Sequence, residues 1–235
     1  MKQTTHSPGS GRTLTYAFRQ SLPVMAGYLV LGIGFGILLN AKGYGVGWAF
    51  LMSVFIFAGS MQYVAVSLLA SGASLISAAL MTVMVNARHL FYGISMIDRY
   101  RNTKPYRPYL IFALTDETYS LVCSGDVPEG VDQNRYFFYL SLLNHCYWIT
   151  GSVLGALIGS LFTFDTAGID FSMTALFVVV FLEQWRSTEN HISALIGVGA
   201  SVLCLLLFGP SDFLIPAMLL ITLLLTLLRG RLAQA

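Results

Sequence analysis

Charge is what this sequence has least of. Of 235 residues, 13 are Lys or Arg and 11 are Asp or Glu, 10% together, against about 25% in an ordinary soluble domain. So few charges cannot cover an apolar core with polar surface. With 56% hydrophobic residues and a mean hydropathy of +0.70, they exclude disordered, fibrous and soluble globular chains. A net charge of +2 with no dense basic arm gives no ground for a nucleic-acid partner. Cysteine is scarce. Cys123, Cys146 and Cys204 are odd in number, widely spaced and without a C-x-x-C, so they are expected as buried free thiols rather than a disulfide or metal site. There is no G-x-S-x-G, no H-E-x-x-H and no P-loop, so no catalytic residue, metal or cofactor is expected.

What remains is long apolar sequence. Leu22–Ala41, Gly43–Ala87 and Phe213–Leu228 carry no acid or base, and Tyr136–Phe164 carries only His145. A helix needs about 20 apolar residues to span the hydrocarbon, and only helices or closed barrels satisfy their backbone groups there. The runs are continuous rather than alternating, which favours helices. The expected fold class is all-α: a polytopic membrane helix bundle of about eight elements, near 22–40, 46–70, 74–97, 108–124, 135–161, 171–185, 190–208 and 211–229. Residues 1–20 read as a polar tail rather than a cleavable signal. Residues 21–229 read as one transmembrane domain with weak halves 21–124 and 135–229, and 230–235 as a C-terminal tail. Gly209-Pro210 is a strong breaker.

Three basic groups set the topology: Lys2, Arg12 and Arg19; Arg99, Arg101, Lys104 and Arg107; and Arg229 with Arg231. All three are expected on the cytoplasmic side. Eight crossings would put the first two on opposite sides, so one element in each half is expected not to cross. The candidates are 46–70, broken at Ala58-Gly59-Ser60-Met61-Gln62, and the short 171–185, ending in Glu183-Gln184-Trp185-Arg186. A shift of 123 residues brings Gly32 onto Gly155, Gly36 onto Gly159 and Gly45 onto Gly168. That weak repeat implies inverted halves, in which element 22–40 and its counterpart 135–161 run in opposite directions, each half holding a broken or re-entrant helix. Paired broken segments point to a transporter's substrate site.

The polar residues inside these runs are the candidate site. Arg88 lies 11 residues before Arg99, roughly 16 Å of helix rise, and Asp116 lies nine after Arg107, roughly 13 Å. An unpaired charge at such depth costs at least ~2.5–3.5 kcal/mol, so Arg88 is expected to pair with Asp116 or Glu117. With His89, they form a candidate proton relay or ion pair. Gly59, Ser60 and Gln62 at the first break, Asn144, and Glu183 with Gln184 at the second are candidate substrate-binding residues. Free backbone groups at a helix break match the carboxylate and ammonium of an amino acid. Gly27, Gly32, Gly34 and Gly36 are read as helix-packing positions, and Tyr136–Tyr139 as an interfacial belt.

Four ordered stretches carry a family resemblance: Phe57-Ala58-Gly59-Ser60-Met61-Gln62-Tyr63; Asn86-Ala87-Arg88-His89-Leu90-Phe91-Tyr92-Gly93; Leu114-Thr115-Asp116-Glu117-Thr118-Tyr119; and Leu207-Phe208-Gly209-Pro210 with Phe213-Leu214-Ile215-Pro216. The chain resembles the AzlC-type permeases, from about residue 15 onward. The resemblance implies efflux of valine, leucine, isoleucine and sometimes methionine across the bacterial inner membrane as a multi-pass protein. It also implies a small AzlD-type membrane subunit as partner and proton-motive drive. The alternative from the residues alone is a channel-like or scaffolding membrane subunit for a different small solute.

Overall fold

The computed structural model describes residues 10–123, 127–162 and 191–232, with isolated positions between 171 and 186. Among the described residues all regular structure is helical: α1 (Ser10–Ala41), α2 (Val46–Phe55), α3 (Gly59–Ala70), α4 (Leu75–Met96), α5 (Arg107–Phe112), α6 (Asp116–Cys123), α7 (Gln133–Leu161), α8 (Ile192–Asp212) and α9 (Leu214–Leu232). Gly11–Ala41, Leu75–Met96 and Ile192–Gly209 are long and apolar enough to cross a bilayer. Large aliphatic side chains face outward, among them Leu75, Ile76, Val30 and Leu206 at 70–89% exposed. A soluble monomer does not expose such a surface; for this chain the solvent is lipid.

The chain forms two compact units, 1–173 and 174–235. The second contains α8 and α9. Gly209 has φ 75 and ψ 172, so the Gly209-Pro210 breaker appears as a kink within α8. Trp185 stacks flat on His191 at 3.9 Å.

The first unit is built on α1 and α7. Gly32 lies against Gly151 and Ser152, Gly36 against Gly155 and Ala156, and Gly159 against Ile37 and Asn40. Residue numbers rise together on both helices, so α1 and α7 run parallel. This corrects the expectation of oppositely directed counterparts. The glycine matches arise from a packing seam, where missing side chains let two backbones touch, and they say nothing of inversion. Both helices start on the side of the basic Arg99–Arg107 loop: the Asp132 amide donates to Thr13 Oγ1 at 3.3 Å, and Asn134 Nδ2 donates to the Asn102 carbonyl at 3.4 Å. Thr13 is fully buried, and its contact with Asp132 gives helical residues before 20 something to pack on, so α1 extends well ahead of the apolar run that begins at Leu22.

From the far side, α2 descends to Phe57 and α3 climbs back. Phe57 has φ +42, a left-handed conformation that ends α2 and reverses the chain. Beyond it, Trp148 Nε1 donates to Gln62 Oε1 at 2.8 Å and Tyr63 donates to the Leu31 carbonyl at 2.7 Å, both farther from the basic side than Phe57's contact with His145. Element 46–70 is thus a re-entrant hairpin. Its break falls at Ile56–Ala58, and Ser60–Gln62 form the first turn of α3.

Element 108–124 was expected to cross, and it does not. Up α5, Tyr106 and then Tyr109 pack on Phe138, and Phe112 reaches His145. At Ala113–Thr115 the chain turns. Down α6, Ser95 Oγ donates to Tyr119 at 3.1 Å, and Arg99 Nη1 bonds the Val122 carbonyl. Thr115 explains the turn. Its Oγ1 accepts the Thr118 amide at 3.3 Å, an N-cap followed by Asp116 and Glu117 in the first turn, where acidic side chains favour the helix dipole. This second hairpin enters from the basic side.

Two smaller expectations also change. Tyr136 and Phe137 are 5% and 1% exposed and join the core around Tyr100, Leu110 and Leu140, so they are core residues rather than an interfacial belt. Cys123 and Cys146 are exposed, and only Cys204 is buried.

Candidate functional site

The two hairpin tips meet beside α1 and α7. Phe57, at the first tip, stacks on His145 with centroids 4.2 Å apart. Phe112, at the second, lies 5.8 Å from the same ring and 6.5 Å from Phe57. His145 is tied on both nitrogens, to the Ser53 carbonyl at 3.1 Å and the Tyr109 hydroxyl at 3.0 Å. It joins α2, α5 and α7 in one place.

Arg88 links the hairpins from α4. Its Nη1 stands 2.8 Å from Asp116 Oδ2 in the first turn of α6, and its Nη2 donates to Ser60 Oγ at 2.7 Å in the first turn of α3. The structure thus pairs Arg88 with Asp116, as the hairpin-depth argument anticipates, and adds Ser60, which that argument did not include. Ala58, the N-cap of α3, gives no side-chain bond to that helix end. Gly59 beside it packs against Trp148, which a Cβ would approach to 3.0 Å.

Glu117 faces a different environment from Asp116. Its Oε2 accepts from the Tyr28 hydroxyl at 2.7 Å. Tyr28 also bonds Thr115 Oγ1 at 2.7 Å, Thr115 reaches Thr118 at 3.1 Å, and Asn144 Nδ2 donates to Thr118 Oγ1 at 3.0 Å. A hydroxyl chain therefore leads from Glu117 to α7. Gln62 is fully buried and engaged at both ends of its amide, accepting from Trp148 and donating to Ser53 Oγ at 3.3 Å. Its place is that of a brace between α2, α3 and α7. Glu183 and Gln184 lie outside the described residues.

A cavity of about 290 Å³ runs from the tips, at Phe57, Ala58 and Phe112, down to Tyr100 and Arg107 at the basic loop. On α4, Asn86 and His89 line it, with Ile56, Ile111 and Leu114 among its apolar walls. Toward the other side the interior is filled: Phe35, Gln62, Tyr63, Val66 and Trp148 are all at most 3% exposed. Several buried acceptors near the tips lack a hydrogen-bond partner: Asn86 Oδ1, Asp116 Oδ1 and Asn144 Oδ1. Burial also pushes the Tyr100 phenol above its ordinary pKa, so Tyr100 stays neutral and Arg107 is the charged group at the cavity floor.

The sequence reading missed the second hairpin, though a signal was present. Ile56-Phe57-Ala58 recurs as Ile111-Phe112-Ala113, the same tripeptide at each tip. Tyr28 and Trp148, which hold Glu117 and Gln62, were also passed over as ordinary aromatics in apolar runs.

The sequence model of the family described as AzlC protein matches residues 23–162, which contain both hairpins and Arg88, Asp116 and Glu117. The chain is 48% identical over 219 residues to the Branched-chain amino acid transport protein AzlC of Bacillus subtilis, covering 93% of this chain and 86% of that protein. It is 47% identical over 216 residues to an Uncharacterized membrane protein of Helicobacter pylori, covering 92% and 95%. It is 28% identical over 212 residues to the Inner membrane protein YgaZ of Escherichia coli, covering 86% of each. No solved structure matches.

Proposed function

The chain belongs to the AzlC protein family, and from that premise we propose that it is the large subunit of a proton-coupled exporter of branched-chain amino acids. Valine, leucine and isoleucine, with methionine beside them, would leave across the bacterial inner membrane, and a small AzlD-type membrane subunit would complete the complex. The Bacillus subtilis relative's name supports the substrate class. The resemblance supports the partner and the proton drive.

The observation that carries the reading is the cavity between the hairpin tips and the basic loop. By the positive-inside rule that loop faces the cytoplasm, so the cavity loads from the side an exporter must load from. Its aliphatic walls suit a branched side chain, and its volume is near the lower end of the ~300–1,000 Å³ usual for small ligands. The head group belongs at the tips, where Gly59 and Ser60 open the first turn of α3. Gln62 and Asn144 hold the tips to α7. Moving one tip away from α1 and α7 while the other holds gives access to alternate sides.

Glu117 is the better proton carrier of the two carboxylates. It is held by a neutral hydroxyl, whereas Asp116 is held by a guanidinium. A proton on Glu117 leaves no unpaired cation behind it.

The test is counterflow of labelled leucine in proteoliposomes holding this chain and the small subunit. Saturable exchange is expected with both and none with the small subunit alone. Glu117→Gln should keep exchange while losing accumulation driven by a pH gradient. Passive flux without counterflow would replace the carrier reading with the channel.

A further inference from the structure

We propose that Arg88 and Asp116 are the two halves of a zwitterion seat: the solute's carboxylate takes Arg88, its ammonium takes Asp116, and the internal ion pair opens to admit both. The proposal deepens the transport reading above and rests on it.

Three observations point this way. First, the pair joins separate elements rather than lying within one. Arg88 sits on α4, touches Asp116 on one hairpin and touches Ser60 on the other. Second, Asp116 uses only one oxygen. Its Oδ1 is buried with no hydrogen-bond partner, and so is Asn86 Oδ1, two residues from Arg88 on α4. A buried acceptor left unpaired costs free energy. Both atoms are acceptors, and a primary ammonium offers three donors. Third, the cavity ends beside the pair: Asn86 and His89 on α4 and Leu114, two residues before Asp116, are among its lining residues.

The electrostatics favour a ligand of this class. A single charge brought to mid-membrane is expensive, and a zwitterion carries two that cancel. When the seat is empty, Arg88 and Asp116 neutralise one another. When it is filled, each meets the opposite end of the solute, and one internal ion pair becomes two intermolecular pairs. The net charge is the same in both states. An amine or a carboxylic acid of equal shape satisfies one residue and strands the other, which is the costly outcome for a buried pair. Opening the pair also draws the arm of α6 from α4, so loading and hairpin movement are the same event.

The test is competition against labelled leucine in the intact two-subunit complex, using leucinamide, which lacks the carboxylate, and 4-methylpentanoate, which lacks the amine. In the wild type each analogue should compete at least about thirtyfold more weakly than leucine. Arg88→Gln should shrink the leucine-to-leucinamide gap to about threefold or less, and leave leucine favoured over 4-methylpentanoate. Asp116→Asn should do the reverse. If Arg88→Gln does not fold, Arg88→Lys keeps the charge and loses the planar fork; leucine should weaken about tenfold while leucinamide is unmoved. Equal losses for all three ligands in either variant would mean a purely architectural pair and overturn the seat. Wild-type export of leucine with no discrimination against the analogues overturns the seat alone. A wild-type complex that binds none of them overturns the transport reading as well.

Discussion

Replacing Gly155 by alanine puts a methyl group where the α1–α7 seam has no room. An ideal Cβ there would lie 2.6 Å from the Ile33 Cα and 2.7 Å from its carbonyl carbon. Unbonded carbons rest about 3.5–4.0 Å apart, so the two backbones must separate by about 1 Å. The obstacle is main chain, which cannot swing aside as a side chain does. A gap of that size forfeits roughly a quarter to a half of the dispersion attraction along the seam, and overpacking of this kind costs about 1–3 kcal/mol. Glycine 36, whose Cβ would meet the carbonyl carbon of Gly155 at 2.8 Å, should behave alike. Glycine 27 is the internal control: it lies on α1, and a Cβ there meets nothing within 4 Å. Gly27→Ala should be neutral or stabilising by up to about 1 kcal/mol, because alanine is the better helix former. The assay is thermal unfolding of the detergent-solubilised protein followed by size-exclusion chromatography. Gly155→Ala should lower Tm by about 6–12 °C if the full ~3 kcal/mol is lost. Equal Tm values for Gly155→Ala and Gly27→Ala would refute the close parallel seam.

Sidedness follows from the hairpins. In a cysteine-free background, cysteines at Lys42 and Ser71 should react with an impermeant reagent from the same face, and cysteines at the exposed Lys104 and Glu129 from the other; opposite faces for Lys104 and Glu129 would mean that 108–124 crosses after all. Gln62→Ala strands Trp148 Nε1 and Ser53 Oγ in a sealed interior, so it should cost about 1–3 kcal/mol of stability. Counterflow per folded molecule should change less than Tm; unaltered Tm with abolished exchange would instead make Gln62 a substrate ligand. Thr115→Ala removes the cap of α6 and should cost about 1 kcal/mol, measured in the same thermal assay.

What the sequence made legible is what local chemistry dictates. Long uncharged runs announce lipid-facing helices without any tertiary information, and the cost of a stranded charge pairs Arg88 with a carboxylate on the next element. The first hairpin was readable because small and polar residues interrupt an apolar run at Ala58–Gln62. The second was harder. Residues 108–124 are long enough to be taken for a span, and the turn depends on Thr115 capping α6 and on Phe112 reaching His145 across the fold. Direction was the least accessible. A glycine repeat records that two helices touch closely, and close contact serves parallel and antiparallel neighbours alike. Only the rising register of Gly32, Gly36 and Asn40 against Gly151, Gly155 and Gly159 decides between them.

A shorter repeat than the glycine one marks the two hairpin tips. Ile56-Phe57-Ala58 and Ile111-Phe112-Ala113 stand 55 residues apart, at the tips of hairpins that enter from opposite faces. Each is preceded by a long helix leading toward the face from which its hairpin enters: α1 toward the far side, α4 toward the basic side. A long helix followed by a hairpin therefore occurs twice among the described residues of the first unit. The chemistry has diverged within that frame. The first hairpin's returning arm opens with Gly59 and Ser60, which are neutral, and the second opens with Asp116 and Glu117. One arm presents a hydroxyl that accepts from Arg88, and the other presents two carboxylates in different surroundings. Arg88 holds Ser60 and Asp116 at once, so the neutral arm and the acidic arm meet at one side chain, and a change at either hairpin is felt by the other through that guanidinium.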